Sequence, residues 1–173
     1  KISDLETLIK NLPEQSTTIN EITVKYKVVP KGSVKHLANA TKWGIIIQEG
    51  ITPENFSATT NDSREEVFRL LDEKYEIDTK NILSNLTEKE LFNVILLHEY
   101  RHTQQEAKRN SRKEFLEEYK KDPIKFEYDA TWFALNYLKL LTPKSIEDTA
   151  FTVKDYASSK LLDPSINYSA TYA

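Results

Sequence analysis

Glycine occurs only three times in this chain of 173 residues, at positions 32, 44 and 50. Glycine-rich loops that cradle a phosphate are therefore excluded. All three glycines fall in the first third, and the strand-like segments lie there too. Ile22 to Val29 alternates apolar and polar residues, with Ile22, Val24, Tyr26 and Val28 in register. That is the pattern of a half-buried strand. Trp43 to Gln48 carries Ile45, Ile46 and Ile47 between Gly44 and Gly50 and reads as another strand. Tyr75 to Asp78 is a shorter candidate.

Beyond that third the chain reads as helices, marked by their caps. Ser/Thr-x-x-Glu boxes stand at Ser3/Glu6, Ser63/Glu66, Thr87/Glu90 and Ser111/Glu114. In each, the hydroxyl can accept from the third helical amide while the glutamate reaches back to the cap. Leu86 and Leu91 occupy the two staple positions around Thr87. Asp122-Pro123 opens a further helix, with proline at the first position where its missing N–H costs nothing. Pro143 is expected to stop that helix, and another is expected from about Ser145 to Ala157. The order is helix, two or three strands with a helix among them, then helices to the end. The predicted fold is α+β. It is read as one domain, with an N-terminal sheet lobe over about 1–107 and a helical lobe over about 108–173.

Composition removes several function classes. Cysteine is absent, which excludes disulfides, thiolate-bound zinc, Fe–S clusters and thiol catalysis, and leaves the redox compartment open. Lys and Arg total 24 against 27 Asp and Glu, a net charge of −3, which argues against a nucleic-acid partner. No apolar run approaches the ~20 residues of a membrane span. Methionine is missing even at position 1, so the chain is expected to begin at a processed or engineered boundary.

The chemistry concentrates in Leu96-Leu97-His98-Glu99-Tyr100-Arg101-His102. His98 and His102 are four residues apart within the helix capped by Thr87, so both imidazoles share a face and can bind one ion. Glu99 lies beside them, where it can deprotonate a metal-bound water. Upstream, Leu91, Val94 and Ile95 anchor the helix. Zinc needs a third protein ligand, with a fourth position left open if the site is catalytic. No histidine follows His102, because the only other one is His36. A carboxylate must therefore serve. Glu127 shares its helix face with Ala130, Thr131, Ala134 and Leu138, and small residues around one carboxylate let two helices approach. Asp129, about 200° around the same helix from Glu127, is read as facing the opposite side.

His98-Glu99-x-x-His102 followed by Glu127-Tyr128-Asp129-Ala130 resembles the gluzincin zinc metallopeptidases. The nearer likeness is to small members: minigluzincins, HtpX-type peptidases and ImmA/IrrE-type proteins. It covers the two motif helices and the habit of strands preceding the first. The resemblance implies a zincin-like fold with Zn2+ between the lobes, held by His98, His102 and Glu127. It implies hydrolysis of a peptide or protein substrate, as an endopeptidase, by a zinc-bound water that Glu99 activates. The longer form of the family's second motif has an aspartate where this chain has Thr131, and that aspartate supports a ligand histidine. Asp129 is the candidate to replace it. A tetrahedral oxyanion needs a further donor. Tyr156, Tyr168 and His36 are the candidates, and nothing in the sequence chooses among them. The alternative is a zincin-fold binding or regulatory module whose zinc is structural or occluded. An intact Glu99 favours the enzyme, because a structural site has no use for a base.

Weaker features complete the reading. Trp43 to Ile47 is either an edge strand on the rim of a substrate cleft or a central core strand. Arg101 is expected in a salt bridge and Gln105 as a surface amide. Lys108 to Lys121 is expected as a solvated helical excursion.

Overall fold

The computed structural model describes residues 2–59 and 61–141, with side chains from residue 4. Helix α1 (Ile2–Asn11) leads into strands β1 (Gln15–Ile19), β2 (Ile22–Val29), β3 (Ala38–Thr41) and β4 (Gly44–Gln48). Helices α2 (Pro53–Ala58), α3 (Asp62–Tyr75), α4 (Thr79–Ser84), α5 (Glu88–Ala107), α6 (Arg112–Lys121) and α7 (Pro123–Tyr137) follow. The protein is α+β: a small mixed sheet, then a mostly helical remainder. Among the described residues no helix is long and apolar enough to cross a membrane.

The sheet order is β1-β2-β4-β3, with β2 and β4 parallel and the outer pairs antiparallel. The four strands are consecutive: the helix expected among them is present as α3, but it follows the whole sheet because no strand comes after it among the described residues. β1 and β2 form a hairpin turned at Asn20, whose φ of 53° suits an asparagine. β4 is an interior strand, and the edge beside it is β3. Trp43 to Ile47 is thus the core alternative and not the cleft rim. Its three consecutive isoleucines are all buried because helices cover both faces. Ile45 and Ile47 join Ile22, Val24 and Tyr26 in the core that includes α5, while Ile46 and Val29 pack on Ile9 of α1. Lys27, on β2, donates to the Ile9 carbonyl at 2.8 Å and ties down the end of α1.

Several local expectations change. α1 already includes Ser3, so its start is not a cap at that residue. α3 is capped by Asn61, whose side chain accepts from Arg64 N, and Ser63 lies inside the helix. Tyr75 to Asp78 is a corner and not a strand. Glu76 ends α3 in the left-handed conformation at φ 55°, and Asp78 caps α4. Asp72 Oδ1 closes that corner by accepting from the amide and hydroxyl of Thr79 at 2.8 and 2.5 Å. α7 ends at Tyr137, with Lys139 at φ 58° beyond it. Pro143 and the helix expected from Ser145 lie outside the described residues.

The caps of the two helices that matter most are as read. Thr87 and Glu90 form a reciprocal capping box at the start of α5, and the Asp122 side chain accepts from Lys125 N ahead of α7. α5 is the axis of the fold. Leu91, Leu96 and Leu97 are fully buried along it, because it packs on the sheet on one side and on α7 on the other. Ala130 and Ala134 of α7 are also fully buried, and their small side chains permit the close α5–α7 approach.

Candidate metal centre

α5 delivers His98 and His102 one turn apart, as the four-residue spacing requires. Their Nε2 atoms are 3.1 Å apart. α7 brings Glu127 across, with Oε1 2.9 Å from His98 Nε2 and Oε2 3.2 Å from His102 Nε2. Among the described residues this is the one group of three metal-binding side chains found, with the ligand atoms of all three within 4.8 Å of one another. Ligands at ~2.05 Å around a tetrahedral zinc stand ~3.3 Å from each other. The observed separations of 2.9–3.2 Å are close to that edge length. Two imidazole nitrogens and one carboxylate oxygen are also a donor set that zinc accepts with a fourth position free. The residues present fit the ion.

The electrostatics match. Burial of the His102 ring opposes its charge, but the Glu127 carboxylate outweighs this, helped by Glu99 and Gln105, and raises the imidazole to about 9. Burial likewise favours neutral Glu127, and the two imidazoles overcome it, holding the carboxyl well below its ordinary range. Glu99 is 8% exposed, and among the described residues its carboxylate makes no hydrogen bond.

Each of the three side chains is held from behind. His98 Nδ1 lies 3.2 Å from Thr131 Oγ1, on the side of the ring away from the cluster. Glu127 Oε2 accepts from the Tyr119 hydroxyl at 2.7 Å. Tyr119 comes from α6, its ring edge-on to His102 at 6.4 Å and stacked obliquely on Phe126. Burial, then Glu127 and Glu99, push its phenol upward, so it stays a donor. His102 Nδ1 lies 2.8 Å from Gln105 Oε1.

Asp129 does not touch a ligand. Its carboxylate grips Arg101 through two bonds, to Nε at 2.7 Å and Nη2 at 3.1 Å, and accepts from Gln105 Nε2 at 3.0 Å. It reaches the site only through Gln105. Nor does it face away from α5 as the helical wheel suggested, because two α5 side chains, Arg101 and Gln105, both bond to it. Arg101 is in the expected salt bridge, but buried at 0% exposure, and Gln105 is equally buried and not a surface amide. The stretch from Lys108 to Lys121 is not wholly solvated either: Phe115 is buried and Tyr119 turns into the site. Of the expected oxyanion donors, Tyr156 and Tyr168 lie outside the described residues. His36 is exposed in the β2–β3 connection, its carbonyl accepting from Gln48, and is not part of the cluster.

Gln105 and Tyr119 are the site residues that sequence reasoning missed. Gln105 carried a signal, since it sits three residues after His102 on the same helix face. Tyr119 carried none, because only the packing of α6 on α7 brings it near. Comparisons with family models, with curated proteins and with solved structures found no match.

Proposed function

We propose that this chain is a gluzincin-like zinc metallopeptidase that cleaves peptide bonds within protein chains, on a zincin-like arrangement of sheet lobe and helical lobe. The observation that carries the reading is the meeting of His98, His102 and Glu127 from two helices at 2.9–3.2 Å, beside a buried Glu99. His98, His102 and Glu127 would hold Zn2+. The ion would polarise the scissile carbonyl and lower the pKa of a water toward ~7. Glu99 takes a proton from the attacking water and returns it to the leaving amine. Glu127 is kept anionic by the imidazoles and oriented by Tyr119. Thr131 and Gln105 fix the two rings from their Nδ1 sides, so that the Nε2 atoms face the ligand cluster.

A binding module with a structural zinc would need no base, and an intact Glu99 with no hydrogen-bond partner among the described residues favours the hydrolase. The test is zinc content of protein purified without added metal, together with cleavage of an unstructured protein such as casein, with and without chelator. Stoichiometric zinc and chelator-sensitive cleavage are expected. An absence of zinc that titration cannot restore would retire the enzyme reading, and zinc without cleavage would favour the module.

A further inference from the structure

The Gln105 amide has one orientation that its surroundings tolerate. It is fully buried, its nitrogen donating to the Phe126 carbonyl at 2.9 Å and to Asp129 Oδ2 at 3.0 Å. Both of those partners are acceptors: one a backbone carbonyl, the other a carboxylate already held by the Arg101 guanidinium. Turning the amide by half a revolution would set its oxygen against two oxygens in a place closed to solvent. The amide oxygen therefore faces His102 Nδ1, 2.8 Å away, and an amide oxygen only accepts. Gln105 thus favours a proton on His102 Nδ1, against Glu127 Oε2, which stands 3.2 Å from Nε2 and favours one there. With the proton on Nδ1, the lone pair of the neutral ring is on Nε2, the atom that meets His98 and Glu127. His98 is not locked in this way, since the Thr131 hydroxyl beside its Nδ1 can either donate or accept.

We propose that Gln105 is a positioning residue of this site, and that the buried Arg101–Asp129 pair acts through it to hold His102 as the Nδ1–H tautomer. An imidazole with its proton on Nε2 has its lone pair on Nδ1, turned away from the cluster, so the lock disfavours a competing state before any ion arrives. The proposal rests on the metal-binding reading above.

Long-range 1H–15N correlation spectra of the histidine rings, with zinc titration of the whole chain, test it. In the metal-free protein above about pH 9, where the His102 ring is neutral, that ring is expected as the Nδ1–H tautomer. Gln105→Leu is expected to lose that preference and to bind zinc about 10–100-fold more weakly, the range for a group that orients a ligand. Asp129→Asn keeps the shape but gives the Gln105 amide a partner that can turn. It is expected to shift the tautomer in the same direction, and to weaken zinc no further once residue 105 is leucine. The proton on Nε2 of wild-type His102 overturns the proposal, and so does unchanged zinc affinity in Gln105→Leu. The wild-type tautomer and the Asp129→Asn spectra decide the matter even if Gln105→Leu does not fold. A wild-type protein that shows the Nδ1–H tautomer yet binds no zinc would overturn the metal reading alone.

Discussion

Removing Asp129 alone should damage stability far more than removing it together with Arg101. The guanidinium is 0% exposed and the carboxylate 2%, joined side-on at 2.7 and 3.1 Å. Asp129→Ala strips a buried cation of its charged partner and takes an acceptor from Gln105. Breaking such a pair costs ~3–5 kcal/mol. Arg101 retains its bond to Gln104 Oε1 at 3.2 Å, which argues for the lower end. A loss of about 3 kcal/mol corresponds to a melting temperature lowered by roughly 6–12 °C in a chain of this size. In urea the midpoint should fall by roughly 1–3 M, given m-values of about 1–3 kcal/mol/M. The assay is urea unfolding at pH 7 with chelator present, followed by circular dichroism. Arg101→Leu/Asp129→Leu should recover more than about half of the loss, because apolar pairs of similar volume replace buried ion pairs at little cost. A loss below about 1 kcal/mol for Asp129→Ala, or a double variant no more stable than the single one, would falsify the argument.

Glu127→Ala should weaken zinc binding beyond the ~10–100-fold of a supporting residue, whereas Glu99→Gln should keep the zinc and lower cleavage by ~10²–10⁴-fold. Zinc titrations paired with protease assays check both, and zinc lost from Glu99→Gln but kept by Glu127→Ala would invert the assignment. Metal-free stability should depend on pH through two groups of opposite sign. His102, raised from 6.5 to about 9, contributes fully below about 6.5, and that contribution is lost as pH climbs through about 9. Glu127, held well below 4.5, contributes above about 4.5 and is lost as pH falls through its depressed value. Denaturation across this range should place this pair's largest contribution between about 4.5 and 6.5, and a contribution that keeps growing above pH 9 would contradict it. Zinc must displace the His102 proton, so calorimetry in buffers of differing ionisation enthalpy should find about one proton released per ion near pH 7. Tyr119→Phe leaves the ring contacts and removes one bond to a charged carboxylate, for which ~1.5–3 kcal/mol is usual. Because Glu127 is 22% exposed, about 1 kcal/mol is the expected loss in the metal-free protein, and a melting temperature equal to wild type would show the bond to be idle.

The reading of particular residues divides along a physical line. Features encoded within a turn or two of one helix, or within one strand, were legible in the amino-acid order. The capping box at Thr87, the Asp122-Pro123 start of α7 and the alternation of β2 are all local, and so is the one-turn spacing of His98 and His102. Glu127 could be reached because histidines run out after His102 and small residues surround it on the wheel. β1 and β3 were not legible: QSTTI and ANAT are short and largely polar, and they are strands because β2 and β4 offer them partners. Tyr75 to Asp78 has strand-like composition, yet the side chain of Asp72 and a left-handed Glu76 turn it into a corner. The interior position of β4, the burial of Gln105 and Arg101, and the arrival of Tyr119 at Glu127 all depend on which elements pack together. A side chain's partner across 20 or 30 residues is set by interhelical distance and by how far that side chain reaches. No residue pattern along a single helix contains either quantity, so the grouping of His98, His102 and Glu127 was readable from the chain and the network that orients it was decided by the packing of α5, α6 and α7.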